Sequence, residues 1–386
     1  MDFRMSENDR SMMEMYHEFG ARVMAPWVAR CESGEFPREP LNELSKAGFM
    51  GMIAPEEYGG AGDTFLHLAM AIEVLGGYNV AATEFLNGSN CNVILPLLNY
   101  GTEEQKAKWI PPVATGEILT AFVVSEPDAG SDTTAMKTTA VLDGDEYIIN
   151  GSKCWITNGN VADVYLLFAV TSPPEAEKKE ISAFLLDRRT DSGKGVSTGK
   201  IEEKMGLHGT PVVSVYFDDV RVPAENLLGK LGDGVRIMMC GINPGRACLA
   251  GLATGVAQRA IDLTVQYVKE RKLYGKRLAD FQNTQFVLAD CQTKVDCCKL
   301  LYRRAASLLD QEDVRKAKVE CSMAKYYCAQ VCQEVLGACI QLFGGYGYIH
   351  DYRIENLYRD CRVFTIFEGA NEVHRTLIAR HMGLME

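Results

Sequence analysis

The periodicity of apolar residues changes twice along the chain, and this limits the folds that the sequence can adopt. Up to about residue 118, apolar side chains such as Met12, Tyr16 and Val23 recur as they do on one face of a helix. From about 119 the pattern is that of short strands, and from about 229 the helical pattern returns. We therefore expect a helical domain over 1–118, a β domain over 119–228 and a helical bundle over 229–386.

Turn signals separate the short strands of the middle region. Asp143-Gly144 stands between β-prone residues and predicts a hairpin, and Asn150-Gly151 predicts another turn. Further runs rich in β-branched and aromatic residues occupy 164–170, 181–186 and 212–217. Several short strands with turns between them favour a small antiparallel barrel or sandwich.

The C-terminal region contains long amphipathic stretches over Gly251–Arg271, Asn283–Asp310 and Val314–Phe343, as in a helical bundle. Within the last stretch, cysteines recur at steps of seven, four and seven residues, at Cys321, Cys328, Cys332 and Cys339. Cysteine behaves as a small buried hydrophobe, so we predict a core stripe here. The six histidines form no HExxH pair, and we expect no metal site.

Composition narrows the classes of partner. The 51 acidic and 40 basic residues give a formal charge of −11, which argues against a general binder of nucleic acid or anionic membranes. No apolar run approaches the length that spans a bilayer, and the first residues lack the apolar core of a signal peptide. Thirteen cysteines without an export signal indicate a reducing compartment, so we expect a cytoplasmic protein.

The segment Thr365–Glu372 contains a candidate catalytic carboxylate. Glu368 follows Ile366 and Phe367, and a carboxylate held among apolar neighbours has a raised pKa because it is poorly solvated. Such a carboxylate is a stronger base, suited to removing a weakly acidic proton. Gly369 lacks a side chain, so a ligand can approach the backbone closely there. Taken alone, the segment is weak evidence, because a Glu beside a Gly is usually a solvated helix end.

Six motifs occur in one order along the chain. They are Phe122-Val-Val-Ser-Glu-Pro-Asp-Ala-Gly-Ser-Asp132, Trp155-Ile-Thr157, Phe217-Asp-Asp-Val-Arg-Val-Pro223, Arg271-Lys-Leu-Tyr-Gly275, Gln341-Leu-Phe-Gly-Gly-Tyr-Gly347 and Phe367-Glu-Gly369. Together they closely resemble the acyl-CoA dehydrogenase family of flavoproteins, over essentially the whole chain. The resemblance implies a mainly α fold with a central β-barrel, between an N-terminal helical domain and a C-terminal four-helix bundle. It also implies FAD, an acyl-CoA substrate, a homotetramer and an electron-transferring flavoprotein as partner.

The resemblance assigns a role to Glu368. It is the base that removes the α-proton of the thioester, while a hydride passes from the β-carbon to flavin N5. Its backbone N–H, with a ribityl hydroxyl of the flavin, is expected to hydrogen-bond the thioester oxygen as the enolate develops. Some branches of the family carry the base just before the arginine that matches Arg246. That position is Gly245 in this chain, so Glu368 has no visible rival.

Several segments are implied to bind the cofactor. Residues of the first two motifs border the flavin ring: Phe122, Val124, Ser125, Trp155, Ile156 and Thr157. Ser125 stands where the family often has threonine, and the hydroxyl is kept. Arg271 matches a contact to the FAD diphosphate, with Tyr274 in the same motif and Gln282 in the same patch. Two further groups complete the prediction. Gln341, Gly344 and Gly345 are implied to reach the FAD of a neighbouring subunit. Ala370, Asn371 and Glu372 are implied to line the adenosine or diphosphate portion of the cofactor.

Positions that contact CoA are also implied. Ser131 matches a position near ligand phosphate or pantetheine, and Asn243 and Arg246 match CoA contacts. The family often has aspartate at position 243. Gly369 is the fourth predicted substrate-binding residue.

The acyl tail is expected to lie near Thr83 and Glu84. No arginine occurs there, which disfavours a dicarboxylic acyl group. If Glu84 faces the pocket, it can pair with a cationic tail; otherwise it points to solvent, as most charged residues do. The chain also has some likeness to crotonobetainyl-CoA reductases, in Ser152-Lys-Cys154 and in 325–329.

We therefore expect α,β-dehydrogenation of a short- or medium-chain acyl-CoA to the trans-2-enoyl-CoA. Three alternatives stay open. The same chemistry in reverse gives an enoyl-CoA reductase for a polar or cationic substrate such as crotonobetainyl-CoA. An oxidase would pass electrons directly to oxygen, but oxidases of this resemblance usually carry an extra C-terminal unit. A catalytically inactive helical scaffold is disfavoured by the presence of Glu368, Arg271 and Trp155.

Overall fold

The structure is a computed structural model that describes residues 5–311 and 316–385. Its N-terminal part is helical, as predicted. Val314, the predicted start of one helix, lies outside these ranges, as do the first four residues. Both α1 and α7 begin with a capping box, in which Ser6 or Thr102 exchanges hydrogen bonds with the third helical residue. The helices are α1 (Glu7–Phe19), α2 (Val28–Glu32), α3 (Arg38–Lys46), α4 (Phe65–Tyr78), α5 (Val80–Ser89), α6 (Leu95–Tyr100) and α7 (Glu103–Ala114). A π-helical turn, Asn90–Ile94, joins α5 to α6.

The middle part is one mixed sheet. Its strands are β1 (Thr120–Val123), β2 (Thr139–Asp143), β3 (Glu146–Thr157), β4 (Val164–Val170), β5 (Ile181–Asp187), β6 (Val196–Thr198), β7 (Val212–Pro223) and β8 (Leu227–Leu228). They follow the order β6-β7-β3-β2-β4-β5-β8, and β1 pairs with β4. The Asp143-Gly144 hairpin is confirmed, because Asp143 pairs with Glu146 where β2 turns into β3.

One expectation for this region was wrong, and a second is confirmed only in part. Asn150-Gly151 is not a turn but an irregularity inside β3, where the register with β7 shifts; a Cβ at Gly151 would lie 2.6 Å from Thr138 Oγ1. The sheet is neither closed nor purely antiparallel within the described residues: its end strands β6 and β8 do not pair, and β1 runs parallel to β4. The whole β2–β3 hairpin lies between β1 and β4, and a connection of that length permits parallel pairing.

The C-terminal part is the predicted helical bundle. It contains α8 (Gly234–Glu270), the small hairpin β9 (Lys272–Leu273) and β10 (Lys276–Arg277), α9 (Gln282–Gln311), α10 (Lys318–Phe343), α11 (Ile354–Cys361) and α12 (Asn371–His381). α8 begins earlier than predicted and continues through Pro244. The four cysteines of the predicted core stripe are buried on α10. Among the described helices, none is both long and apolar enough to cross a bilayer.

The largest apolar core joins the N-terminal helices to the bundle, and it positions the candidate site. α4 is buried from Leu68 to Gly77 and packs against α8. The two helices approach so closely that a Cβ at Gly255 would lie 1.7 Å from the carbonyl oxygen of Glu73. α5, α8, α10 and the start of α12 all surround the loop that carries Glu368.

Candidate active site

Glu368 lies in a backbone conformation that residues with a side chain rarely adopt. Its φ is +53°, and that of Gly369 is +90°. The left-handed region costs a non-glycine residue on the order of 1–3 kcal/mol, so the surrounding structure must hold it in place. Within the described residues, the backbone N–H of Glu368 has no acceptor and remains free to donate to a ligand.

The carboxylate of Glu368 is enclosed by residues that are distant in sequence. Asn87 Nδ2 and Asn92 Nδ2 donate to its Oε1, at 3.3 and 3.4 Å. Its Oε2 is buried and has no partner among the described residues. A Cβ at Gly245 would lie 3.5 Å from this Oε2, so a glycine leaves the space beside it open.

Burial raises the pKa of Glu368, in the direction that the sequence predicted. The hydrogen bond from Asn92, the charges of Arg246 and Lys325 and the bond from Asn87 act in the opposite direction. The predicted cause was wrong in one respect, since Ile366 is 58% exposed and does not shield the carboxylate. The shielding comes from α5, the turn 90–94 and α8.

Three side chains hold the carbonyl groups of this loop. Arg246 Nε donates to the Glu368 carbonyl oxygen at 3.3 Å. Lys325 Nζ and His374 Nε2 both contact the Gly369 carbonyl oxygen, at 2.6 and 3.0 Å. Burial lowers the pKa of Lys325 to about 7 and that of His374 to about 3. No sequence pattern marked Asn87, Asn92 or His374, and Lys325 stood out only through a likeness to another branch of the family.

The predicted CoA-contacting residues of α8 lie beside Glu368. Arg246 and Asn243 are 5% and 4% exposed, and Arg246 Nη1 donates to Asn243 Oδ1 at 3.0 Å. Ser131 lies in an exposed turn that follows the short Glu126–Ala129 bridge. Its role stays a prediction.

The two predicted acyl-tail residues differ in what they offer to a ligand. The Thr83 hydroxyl donates to the carbonyl of Asn79 at 2.7 Å, so it is used within its own helix. Glu84 is one turn from Asn87 on α5, and its Oε1 is buried without a partner among the described residues. Burial, and then the nearby Glu368 carboxylate, raise the pKa of Glu84 to about 8.

Unpartnered buried polar atoms concentrate around Glu368. Buried polar groups in native proteins nearly always have a partner, so such a group marks a place where a ligand can supply one. In the described parts of the chain, the atoms of this kind near Glu368 are Glu84 Oε1, Asn87 Oδ1, Asn92 Oδ1, Glu368 Oε2, Asn371 Oδ1 and His374 Nδ1. The site therefore has the chemistry to bind a polar group between α5 and the Glu368 loop.

The predicted flavin-bordering segments lie side by side. Cys154 N donates to the Ser125 carbonyl at 2.9 Å, which joins the end of β3 to the residues after β1. Lys153 Nζ donates to the Val124 carbonyl at 2.9 Å and pairs with Glu126, and both charged side chains are buried. Trp155 is 68% exposed with φ at +57°, which leaves its ring available to a cofactor.

The other three residues of this group are placed differently. Phe122 packs edge to face on Phe168, with ring centroids 5.1 Å apart. Thr157 is exposed, whereas Ile156 is buried in the core of the sheet, so its side chain faces away from Trp155.

A second predicted group lines a cavity of about 640 Å³ beside the bundle. Arg271, Gln341, Gly344 and Gly345 line it, although Gln341 lies at the end of α10 and Arg271 follows α8. A cavity of this size suits a small molecule. Asn283, Thr284 and Tyr346 also line it and were not predicted.

The remaining predicted cofactor residues lie next to these features. Tyr274 is 89% exposed at the tip of the β9–β10 hairpin, and Gln282 opens α9 just before the cavity residue Asn283. Ala370 and Asn371 start α12, where Asn371 is buried and Glu372 extends outward with its side chain 77% exposed.

Comparison with known families covers almost the whole chain. Residues 6–117, 121–220 and 232–383 match the N-terminal, middle and C-terminal domains of acyl-CoA dehydrogenase. The chain belongs to the acyl-CoA dehydrogenase family, as the motifs predicted. The predicted likeness to crotonobetainyl-CoA reductases is not seen among these matches.

Individual relatives point in the same direction. The chain is 42% identical to a subunit of a caffeyl-CoA reductase–Etf complex from Acetobacterium woodii, over 97% of this chain and 98% of that protein. It superposes on butyryl-CoA dehydrogenase from Megasphaera elsdenii with a TM-score of 0.93 and 34% identity, over 99% and 100% of the two chains. A glutaryl-CoA dehydrogenase from Mycobacterium smegmatis in complex with FADH2 matches with a TM-score of 0.91 and 27% identity, over 98% and 95%.

Proposed function

We propose that this protein catalyses proton and hydride transfer at the α,β-carbons of an acyl-CoA thioester, with Glu368 as the group that exchanges the α-proton. The observation that carries the proposal is the Glu368 carboxyl group itself. Its Oε2 is buried and unpartnered, while its Oε1 is held by Asn87 and Asn92. A carboxylate with one fixed oxygen and one free oxygen presents a single, oriented base to the substrate.

Two properties suit this carboxylate to α-proton removal. Burial raises the pKa of Glu368, and a base is most effective when its pKa is near the working pH. The free N–H of Glu368 is in the same residue, so it can donate to the thioester oxygen on which charge develops. One such donor contributes about 3 kcal/mol to transition-state stabilisation.

The proposed cofactor is FAD, which when bound accepts the hydride from the β-carbon. Support comes from the family and from the glutaryl-CoA dehydrogenase relative that contains FADH2. The residues present fit the cofactor: Trp155 offers an exposed ring beside Val124 and Ser125, and Arg271 brings a guanidinium to a cavity lined by Gly344 and Gly345. Glycines there let the backbone approach a ligand closely.

An electron-transferring flavoprotein is the proposed redox partner, since the caffeyl-CoA reductase relative is a subunit of a complex with such a protein. The working direction is tested by mixing holoenzyme with the saturated thioester and the oxidised partner, or with the unsaturated thioester and the reduced partner. Faster turnover of the unsaturated thioester identifies a reductase. Peroxide release without an added acceptor would identify an oxidase instead. We also propose a homotetramer, to be tested by light scattering.

The decisive test of the base is Glu368→Gln, which keeps the size of the side chain and its contacts with the two asparagines. We expect bound flavin and ligand affinity to persist while turnover falls about a thousandfold, the contribution of a positioned base. Glu225→Gln is the matched control, because the Glu225 side chain is 77% exposed and is not part of the predicted site. Turnover near wild type in Glu368→Gln would assign the proton transfer to another group. A purified protein that takes up no flavin would favour the inactive scaffold.

A substrate with a polar acyl tail is the second candidate, and Glu84 favours it. A carboxyl group with one oxygen buried without a partner can pair with a cationic tail or hydrogen-bond a hydroxyl group, whereas it gains nothing from an alkyl chain. Because the pKa of Glu84 is about 8, the neutral acid predominates at pH 7 and a hydroxylated tail such as that of caffeyl-CoA is suited to it. A short or medium alkyl tail remains the first expectation.

The type of acyl tail is tested by comparing turnover of butyryl-CoA, γ-butyrobetainyl-CoA and caffeyl-CoA with its saturated form, in wild type and in Glu84→Gln. A selective loss for the cationic substrate supports charge pairing, and a selective loss for the hydroxylated one supports hydrogen bonding. Equal loss for all three would remove Glu84 from substrate selection.

A further inference from the structure

We propose that Lys325 is a positioning residue. It acts with His374 and Arg246 to hold the carbonyl groups of Glu368 and Gly369, and this orients the Glu368 carboxylate toward the substrate. The proposal rests on the function proposed for Glu368. Here we define the carbonyl clamp as Arg246, Lys325 and His374. These side chains come from α8, α10 and α12, so the loop is held from three helices at once.

The clamp controls the orientation of the two peptide planes. A trans peptide group is planar, so fixing a carbonyl oxygen also fixes the N–H of the next residue. Arg246 fixes the peptide between Glu368 and Gly369, and Lys325 with His374 fixes the next one. With both planes fixed, φ and ψ of Gly369 are set, at a φ of +90°, and the Cα of Glu368, which lies in the first plane, is held in position.

Lys325 is poorly explained by stability alone. Its side chain is fully buried, and within the described residues its only hydrogen-bond acceptor is the Gly369 carbonyl oxygen, at 2.6 Å. An ammonium group carries three N–H donors, and burying donors without acceptors is destabilising. An apolar residue at this point of α10 would pack without that loss. The side chain therefore serves the loop that it contacts.

Lys325 also sets the charge that Glu368 experiences. The positive charge of Lys325 and that of Arg246 both lower the pKa of Glu368, against the effect of burial. His374 is neutral near pH 7, because burial and these two cations lower its pKa. The titratable and charged groups that face Glu368 are Glu84 of α5, Cys91 of the 90–94 turn, Arg246 of α8, Lys325 of α10 and His374 of α12.

The test uses the flavin-loaded enzyme with Lys325→Met, Lys325→Arg and the control Lys299→Met. Lys299 is a lysine of α9 that donates to Gln258 at 2.9 Å, away from the loop. We measure kcat and KM against pH, and the exchange of solvent deuterium into the α-carbon of butyryl-CoA without an electron acceptor. Hydrogen exchange of the peptide that covers 366–371 is followed without substrate. This last measurement does not depend on activity.

We expect Lys325→Met to lower kcat and α-carbon exchange by about 10- to 100-fold, the effect of a misplaced catalytic group. KM should change by less than about threefold. The acidic limb of the pH profile should shift to higher pH by about one unit, because the pKa of Glu368 rises when a neighbouring positive charge is lost. Amide exchange of 366–371 should accelerate. Lys325→Arg should recover most of the rate, and Lys299→Met should match wild type.

His374→Phe is the second variant, in case Lys325→Met does not fold. It removes one clamp contact without removing a charge, so the rate should fall while the pH limb stays in place. The proposal is overturned if Lys325→Met keeps the wild-type pH limb and loop protection, or if Lys299→Met loses as much activity. If Glu368→Gln keeps α-carbon exchange, the proposed base itself is wrong. If Glu368→Gln loses α-carbon exchange while Lys325→Met and His374→Phe behave as wild type, Glu368 remains the proposed base and the carbonyl clamp is rejected.

Discussion

Replacing Glu84 by glutamine is expected to stabilise the folded protein above neutral pH and to have little effect at pH 5. Burial and the nearby Glu368 raise the pKa of Glu84 from 4.5 to about 8. Below pH 4.5 the acid is protonated in both the folded and the unfolded chain, so it does not affect the equilibrium. As the pH rises further, the unfolded chain loses the proton and the folded protein keeps it. The free energy of unfolding then falls by about 1.4 kcal/mol for each pH unit.

This loss reaches on the order of 3 kcal/mol at pH 7 and levels off near 5 kcal/mol above pH 8. Glutamine has the same shape and no charge, so the variant avoids the loss. The assay is urea unfolding of wild type, Glu84→Gln and the exposed control Glu225→Gln at pH 5, 7 and 8.5. The expected result is a difference between Glu84→Gln and wild type that grows with pH, and none for the control. A difference that is the same at all three values would refute the reasoning, because it would mean that Glu84 ionises normally in the folded protein.

Two further outcomes concern the same site and the cofactor cavity. Gly245→Ala is expected to lower turnover by about tenfold, because the new Cβ would lie 3.1 Å from Asn87 Oδ1 and 3.5 Å from Glu368 Oε2. Steady-state kinetics measure the change in turnover. An unchanged kcat would show that the Asn87 side chain moves freely. Arg271→Met is expected to weaken FAD retention by about 10- to 100-fold, the contribution of a charge-assisted hydrogen bond. Flavin release during dialysis measures this effect. The control is Arg277→Met, which removes an exposed cation paired with Asp280. Equal retention of flavin in both variants would place the FAD diphosphate elsewhere.

Local sequence signals predicted much of the fold. The Asp143-Gly144 hairpin and the helices of the bundle follow from turn chemistry and periodicity, which depend on neighbouring residues alone. The same rule misjudged Asn150-Gly151, because Asn150 exchanges hydrogen bonds with Asp219 and the strand continues through the pair. A partner 69 residues away outweighed the local turn preference. The predicted barrel is not confirmed for a similar reason, since strand pairing across the sheet is not a local property.

Motifs located Glu368 but not its surroundings. The sequence predicted the raised pKa from Ile366 and Phe367, whereas Ile366 is exposed and the shielding comes from α5 and the turn after it. The sequence also left open whether Glu84 faces a pocket or solvent. Its Oε1 is buried without a partner in the described structure, because the fold brings α5 against the Glu368 loop, and its contact with an acyl tail stays a prediction.

The order of the three units and the family were therefore determined by the sequence alone, which also singled out Glu368 as the proposed base, because motifs and periodicity are properties of short segments. The tertiary structure decided what surrounds Glu368. Asn87 is 281 residues from Glu368, and Arg246 and Lys325 are on two other helices. Desolvation and electrostatic interactions depend on distance in space rather than on separation along the chain, so only the folded chain sets the proton affinity and the aim of Glu368.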